Sequence, residues 1–129
     1  MLAIDANIVV RYLTGDHPEQ AARARALIDG GPVFVATTVL LEAEWVLRSA
    51  RGYRARRLAA ALEAFAGLPT VTLENPARIR AALDDLAEGL DFADALHRAA
   101  AAGCEAFVTF DKAFAAGVGR TPGVEVKLV

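Results

Sequence analysis

Short apolar runs alternate along the chain with longer segments in which apolar residues recur every three or four positions. The short runs predict strands at residues 2–4, 33–36, 70–73, 106–109 and 124–127. The longer segments predict helices, because that spacing places apolar side chains on one face. Strands that alternate with helices are typical of parallel sheets joined by right-handed crossovers. We therefore predict an α/β fold, a three-layer α/β/α sandwich around a mainly parallel sheet of four to five strands.

The predicted helices have recognisable ends. The first follows the first strand, with Asn7 as its cap and Gly15 as its stop. The fourth covers residues 54–66 and a last helical turn covers 111–115. The remaining helices begin at Asp16 to Pro18, at Thr37 or Thr38, at Asn75 with Pro76 in the first turn, and at Asp91, and the glycines that stop them include Gly52 and Gly103.

A length of 129 residues suits one domain that buries a sizeable core, and no linker or repeat divides it. We therefore expect a single domain over residues 1–129. The one cysteine, Cys104, lies in an Ala-rich stretch and is predicted to be a small buried residue; a lone cysteine also suits a reducing cytoplasm. Since no signal peptide or membrane-length apolar run is present, we expect a cytoplasmic protein that does not bind membranes.

The formal net charge of −2 argues against a general nucleic-acid coat, which needs clustered Lys and Arg. One local exception exists. Arginines crowd the segment 48–57, at positions 48, 51, 54, 56 and 57. A solvated helix face and a phosphate-binding patch both explain this cluster, and the sequence does not decide between them.

The predicted topology places four acidic residues at one edge of the sheet. Asp5 directly follows the first strand, and Asp111 follows the fourth. Glu42 lies early in the helix after the second strand, and Asp94 lies early in the helix that returns before the fourth. Ligand sites of parallel sheets form at the carboxyl ends of the strands. We therefore expect these four carboxylates to converge.

Each acid also has a purely structural alternative. A helix-capping Asp accepts hydrogen bonds from backbone N–H groups, and a helical Asp can pair with an Arg four residues on. The alternatives are capping for Asp5, Asp91 and Asp111, an ion pair with Arg98 for Asp94, and a solvent-facing position for Glu42, with Glu44 expected to be solvated on another face.

Carboxylates that meet in one pocket repel each other by roughly 4 kcal/mol per pair at 4 Å and an effective dielectric constant of 20. No Lys or Arg is expected within this ring, although Lys112 adjoins it, so a divalent cation is the natural counter-charge. Oxygen ligands favour Mg²⁺ or Mn²⁺ over zinc. His17 and His97 lack ligand spacing and are predicted to be surface or packing residues. A metal held by carboxylates suits phosphodiester hydrolysis.

Two other classes of function compete with this interpretation. A phosphatase with an aspartyl nucleophile needs Asp-x-Asp after the first strand, whereas the chain has Asp5-Ala6-Asn7. A non-catalytic interaction domain would use the acids to anchor helices and would present Tyr12, Leu13 and Trp45 to a partner. A Gly-rich phosphate loop is not indicated, because the GxG at residues 117–119 lacks the strand and helix that such loops require.

Four motifs in order, Asp5-Ala-Asn7, LLEAEWVL, DFADAL and VTFDKAF, make the chain similar to the PIN-domain family. In length and motif order it resembles VapC-type toxins of type II toxin–antitoxin pairs. The resemblance implies Mg²⁺-dependent endoribonuclease activity. It places the metal-binding acids on Asp5, Glu42, Asp94 and Asp111, with Asp91 as an accessory ligand and with Asn7 and Thr109 as polar residues that support the ring.

The same resemblance implies a homodimer and a cognate VapB-type antitoxin that covers the site and represses the operon as a complex. DNA would then be contacted only indirectly, through the antitoxin, while RNA would be the substrate. One position departs from the family pattern: Ala6 stands where many relatives carry a hydroxyl residue. That change removes one supporting hydrogen bond but no ligand. The RNA target and the number of metal ions are not specified by the sequence.

Overall fold

Strands and helices alternate in the computed structural model, which describes residues 1–118 and 121–129. The strands are β1 (Leu2–Ala3), β2 (Val33–Val35), β3 (Val71–Leu73), β4 (Phe107–Thr109) and β5 (Val126–Leu128). The helices are α1 (Ala6–Thr14), α2 (Pro18–Gly30), α3 (Thr37–Arg51), α4 (Ala55–Ala66), α5 (Pro76–Ala87), α6 (Phe92–Ala100) and α7 (Lys112–Gly117). The predicted α/β/α class, parallel strands flanked by helices, is confirmed.

The described strands form two parallel sheets. One has the order β1-β2-β3, with Leu2 opposite Val33 and Val33 opposite Val71, and the other pairs β4 with β5. The sequence predicts one sheet of four to five strands, but the structure has two smaller sheets, because among the described strands β1 pairs with β2 alone. From the sequence, the apolar residues 2–4 are expected to form a buried strand. In the structure β1 is an edge strand of two exposed residues, with Leu2 61 % exposed, and Ile4 directly after it is buried.

The core lies between the three-stranded sheet and the apolar faces of its helices. β2 is the central strand, and Val33 and Val35 are both buried, as expected for a strand covered on both faces. Burying one Leu or Phe side chain contributes about 1.5–3 kcal/mol. The largest fully buried side chains include Ile28, Leu40, Leu47, Leu58, Leu62, Phe65, Ile79 and Phe92, which come from five different helices.

Several helix ends differ from the predicted caps. α1 is capped by Asp5 rather than Asn7. Neither Thr37 nor Thr38 caps α3; instead the Glu74 carboxylate, which follows β3, accepts a hydrogen bond of 2.9 Å from the Thr37 N–H. Asn75 precedes α5 in the left-handed region with φ 51° and makes no side-chain cap bond. The α3 cap joins segments 37 positions apart, so local sequence does not reveal it.

A buried ion pair fastens residues 121–124 to α5 and α6. Arg98 and Asp85 are only 5 % and 3 % exposed. The Arg98 guanidinium donates to both Asp85 oxygens at 3.1 and 3.0 Å, and to the backbone oxygens of Thr121 and Val124. The Thr121 hydroxyl also bonds to both charged groups. Arg98 is therefore committed to Asp85, and the predicted pairing with Asp94 is wrong.

Two smaller predictions have clear outcomes. α6 ends at Ala100, short of the predicted stop at Gly103, and Cys104 in the following turn is exposed, so the prediction of a buried cysteine is wrong. In the GxG pair, Gly117 is the last residue of α7, and Gly119 lies outside the described residues. No helix within residues 1–118 and 121–129 has the length and apolarity needed to cross a membrane.

Candidate functional site: an acidic cleft

Three acids lie where α6 and α7 begin. Asp91 caps α6, because its Oδ2 accepts a hydrogen bond of 3.2 Å from the Asp94 N–H. Asp111 caps α7 through a bond of 3.0 Å from the Phe114 N–H to its Oδ1. The Thr109 hydroxyl oxygen accepts a bond of 3.0 Å from the Asp111 N–H, which holds the turn after β4. The predicted capping role is confirmed for Asp91 and Asp111, and each cap bond occupies one carboxylate oxygen.

The carboxylates of these residues influence each other electrostatically. Burial raises the pKa of Asp94 above its ordinary value, and the negative charges of Asp91 and Asp111 raise this pKa further. The nearby His97 acts in the opposite direction and lowers it. Burial and the two neighbouring carboxylates therefore act in the same direction on Asp94, and a bound cation would act in the opposite direction. Carboxylate oxygens are donors that suit Mg²⁺ or Mn²⁺.

Glu42 shares a cleft with one member of this cluster. It lies on α3, is exposed, and lines an opening of about 410 Å³ together with Asp91. Asp91 therefore connects the Glu42 cleft to the Asp94 and Asp111 carboxylates. The other residues of the lining are Thr38, Leu41, Glu44, Trp45, Arg48 and Ala93.

A buried ion pair on α3 forms part of this cleft, and sequence reasoning missed it. Glu44 is 1 % exposed and accepts hydrogen bonds from Arg48 Nε at 3.0 Å and Nη2 at 3.3 Å. The prediction that Glu44 is a solvated residue is wrong. The Glu44 hydrogen bond raises the pKa of Arg48, and the charge of Asp91 contributes to this rise. A cation therefore does stand among the acids, and the i,i+4 spacing of Glu and Arg was the available signal.

Asp5 and Asn7 lie in a different cleft of about 450 Å³, which Arg11, Gln20 and Arg23 also line. Asp5 Oδ1 accepts hydrogen bonds from the N–H groups of Asn7 and Ile8 at 3.0 and 3.3 Å, so the capping alternative for Asp5 is confirmed. Because the β4–β5 pair is a separate sheet, the strand ends that carry Asp5 and Asp111 do not belong to one continuous edge.

The expected convergence of all four carboxylates is absent from the described part of the chain. Within residues 1–118 and 121–129, no group of three or more His, Cys, Asp or Glu side chains is arranged to hold one metal ion. The structure brings Asp91, Asp94 and Asp111 within electrostatic reach and places Glu42 beside Asp91. The roles of Asp5, Glu42, Asp94 and Asp111 as ligands, with Asp91 as an accessory, stay a prediction.

A protein-family model described as the PIN domain matches residues 2–117, a span that contains every one of these acids. The chain belongs to the PIN-domain family. PIN domains are typically nucleases, so a nucleic-acid substrate and a hydrolytic reaction follow for the family as a whole. PIN nucleases usually use divalent metals, in agreement with the oxygen donors found here. No match was found among curated proteins.

In this PIN domain the arginines of segment 48–57 do not form one patch. Arg48 pairs with Glu44, Arg51 pairs with Asp16 in the α1–α2 turn, and the Arg57 guanidinium lies 4.0 Å above the Tyr53 ring. Arg54 and Arg56 are exposed. Arg48 is the one member of this segment that lines the Glu42 cleft, so a phosphate-contact role concerns Arg48 more than its neighbours.

The remaining predictions for the PIN domain concern histidines and aromatic residues. His17 caps α2, with its Nδ1 accepting a bond of 3.3 Å from the Gln20 N–H, and the His97 ring stacks on Phe107, so both have structural roles. Tyr12 and Leu13 are partly buried against the core, and the Tyr12 ring packs edge-on against Phe65. Trp45 is 57 % exposed, so of the three residues that a non-catalytic interaction domain would present to a partner, Trp45 is the most open to solvent.

Proposed function

We propose that this PIN domain is a Mg²⁺- or Mn²⁺-dependent endoribonuclease and the toxin of a VapBC-type toxin–antitoxin pair that acts in the cytoplasm. The observation that supports the proposal best is the proximity of Asp91, Asp94 and Asp111 in a chain of the PIN family: burial raises the pKa of Asp94, and the charges of Asp91 and Asp111 raise it further. Carboxylate oxygens are the ligands that Mg²⁺ and Mn²⁺ prefer in proteins.

Each acid has a distinct task under this proposal. Asp5, Glu42, Asp94 and Asp111 would hold the metal with Asp91 as an accessory, and Thr109 would keep the Asp111 turn in place through its bond to the Asp111 N–H. Asn7 lies beside Asp5 in its cleft as a second polar support. When bound, the metal ion supplies an activated water and neutralises charge on the phosphodiester. The cap bonds restrict the rotation of Asp5, Asp91 and Asp111, so these carboxylates are oriented before any ligand binds.

The nuclease proposal is tested with purified protein and total cellular RNA, in Mg²⁺ and in EDTA. We expect discrete fragments with Mg²⁺ only, and loss of cleavage in Asp94→Asn. Asp84→Asn is the matched control, because Asp84 is an exposed acid on α5 that lines a separate cleft with Arg80. Cleavage that survives in EDTA, or that Asp94→Asn and Asp84→Asn affect equally, contradicts the proposal.

The toxin proposal needs a cellular test. Induced expression of the wild-type protein should arrest growth, whereas Asp94→Asn should not, and co-expression of a VapB-type antitoxin should restore growth. Light scattering should give a homodimer, and the dimer alone should leave operator DNA unbound, because DNA contact is assigned to the antitoxin. If the purified protein cuts RNA but cells that express it continue to grow, the nuclease proposal stands and the toxin role is refuted.

A further inference from the structure

The tryptophan of the cleft is unusually exposed for so large an aromatic residue. Trp45 is the chain's only tryptophan, and it is 57 % exposed on α3. It lines the same cleft as Glu42, Arg48 and Asp91. An aromatic ring left in water beside charged groups offers a flat apolar surface and a donor N–H to a ligand. The proposed acidic ligands therefore have an open stacking surface next to them.

The guanidinium beside Trp45 is held in a defined position. The buried Glu44 carboxylate fixes Arg48 through its Nε and Nη2, while Nη1 takes no part in either bond. The Arg48 side chain nevertheless remains 46 % exposed at the cleft. A planar guanidinium that is already held at one edge loses little rotamer freedom when its other edge binds an anion. Arg48 is therefore suited to bind a phosphate.

These two side chains together match the chemistry of a nucleic-acid strand. Proteins bind unpaired strands by stacking bases on aromatic rings and by placing cations along the backbone. Glu42 and Asp91 repel a free anion and the phosphate of a strand alike, but a strand also presents a base to Trp45, and stacking of that base adds binding energy that a free anion lacks. We propose that Trp45 and Arg48 form a nucleotide-binding subsite next to the acidic cluster, in which Trp45 stacks a base and Arg48 holds the adjoining phosphate. This subsite rests on the proposed nuclease function.

The subsite is tested by the fluorescence of Trp45, which is the only indole in the chain. Wild-type protein in EDTA is titrated with a 12-nucleotide unpaired RNA and with a duplex of the same sequence. We expect the unpaired RNA to quench Trp45 emission and to bind more tightly than the duplex, because a base must leave its helix to stack on a side chain. Quenching that is equal for both, or absent, would overturn the proposal.

Variants are compared by anisotropy of a labelled unpaired RNA. Trp45→Ala should weaken binding about 5- to 150-fold, with Trp45→Phe between it and the wild type. Arg48→Gln alone leaves Glu44 buried without a partner, so the double variant Glu44→Gln/Arg48→Gln is used. It should reduce the slope of log affinity against log salt by about 0.7, the value for one lost phosphate contact on a single strand. Arg80 is an exposed arginine of a separate cleft and serves as the control. Arg80→Gln should weaken RNA binding less than the variants of the subsite do, and it should leave the preference for unpaired RNA unchanged.

The outcomes separate this proposal from the nuclease proposal. If Mg²⁺-dependent cleavage persists in Trp45→Ala with an unchanged KM, the subsite is wrong and the nuclease stands. If RNA quenches Trp45 but is never cut, the subsite stands and the nuclease is wrong. A third outcome is that Trp45 emission changes with protein concentration but not with RNA, and that Trp45→Ala dissociates a dimer. This outcome would place Trp45 between copies of the chain and overturn the subsite.

Discussion

Replacing Arg98 by Ala should be among the most destabilising single changes in this chain. The substitution leaves the Asp85 carboxylate buried without its counter-charge and removes the guanidinium bonds to the backbone oxygens of Thr121 and Val124. Breaking a buried ion pair by removing one partner costs about 3–5 kcal/mol. For a chain of 129 residues that loss lowers Tm by about 11–18 °C, since the unfolding entropy is about 2.1 cal/mol/K per residue.

The measurement is urea and thermal unfolding followed by circular dichroism. Arg23→Ala is the matched control, because Arg23 forms an i,i+4 pair with Glu19 at the surface, where such pairs contribute about 0.5 kcal/mol or less. The double variant Asp85→Leu/Arg98→Met removes both charges and should recover much of the loss. If Arg98→Ala costs no more than Arg23→Ala, the pair does not hold the C-terminal segment and the reasoning fails.

Three further outcomes follow. The Asp94 pKa is raised in the folded chain, so at pH values just above the ordinary pKa of 3.8 the folded chain binds more protons than the unfolded chain. The stability of the fold therefore falls as the pH rises through this window and Asp94 ionises. Asp94→Asn should therefore raise Tm at pH 7 in EDTA and have no such effect near pH 3; a lower Tm at pH 7 contradicts the shift. Mg²⁺ at about 100 times its Kd should stabilise the wild type by about 2.7 kcal/mol in chemical unfolding, and an equal response in Asp94→Asn would remove Asp94 from the metal site. Glu74→Ala removes the carboxylate bound to the Thr37 N–H and should cost about 1 kcal/mol, unlike the exposed Glu63→Ala, and an equal cost for both would refute the cap.

The order and class of the elements could be predicted from the sequence because apolar spacing is a local property. Gly15 and Gly52 end their helices in the left-handed conformation, as their positions in the sequence indicated. Pairing between strands is not local, and the separation of the β4–β5 pair from β1 could not be derived from spacing. The position of β1 at the edge of its sheet, which leaves Leu2 exposed, is non-local for the same reason.

The candidate site shows the same division between local and distant effects. Helix capping by Asp5, Asp91 and Asp111 depends on residues two or three positions away, and it was foreseen as an alternative. The burial of Glu44 depends on how α3 packs against the rest of the chain, and spacing alone suggested a solvated residue. The link from Asp91 to Glu42 across two helices likewise required the folded chain.

The cap bonds of the acidic residues stabilise the starts of three helices, whether or not a metal ion is bound. Asp5, Asp91 and Asp111 each close the first turn of a helix, so folding itself selects their side-chain rotamers. A cation that bound at any one of these residues would then meet a carboxylate that is already oriented and would not have to order a flexible loop. Replacing one of these aspartates by Asn retains the capping oxygen, so it tests the chemical role of the carboxylate without loss of the cap. Replacement by Ala would remove the cap and the carboxylate together.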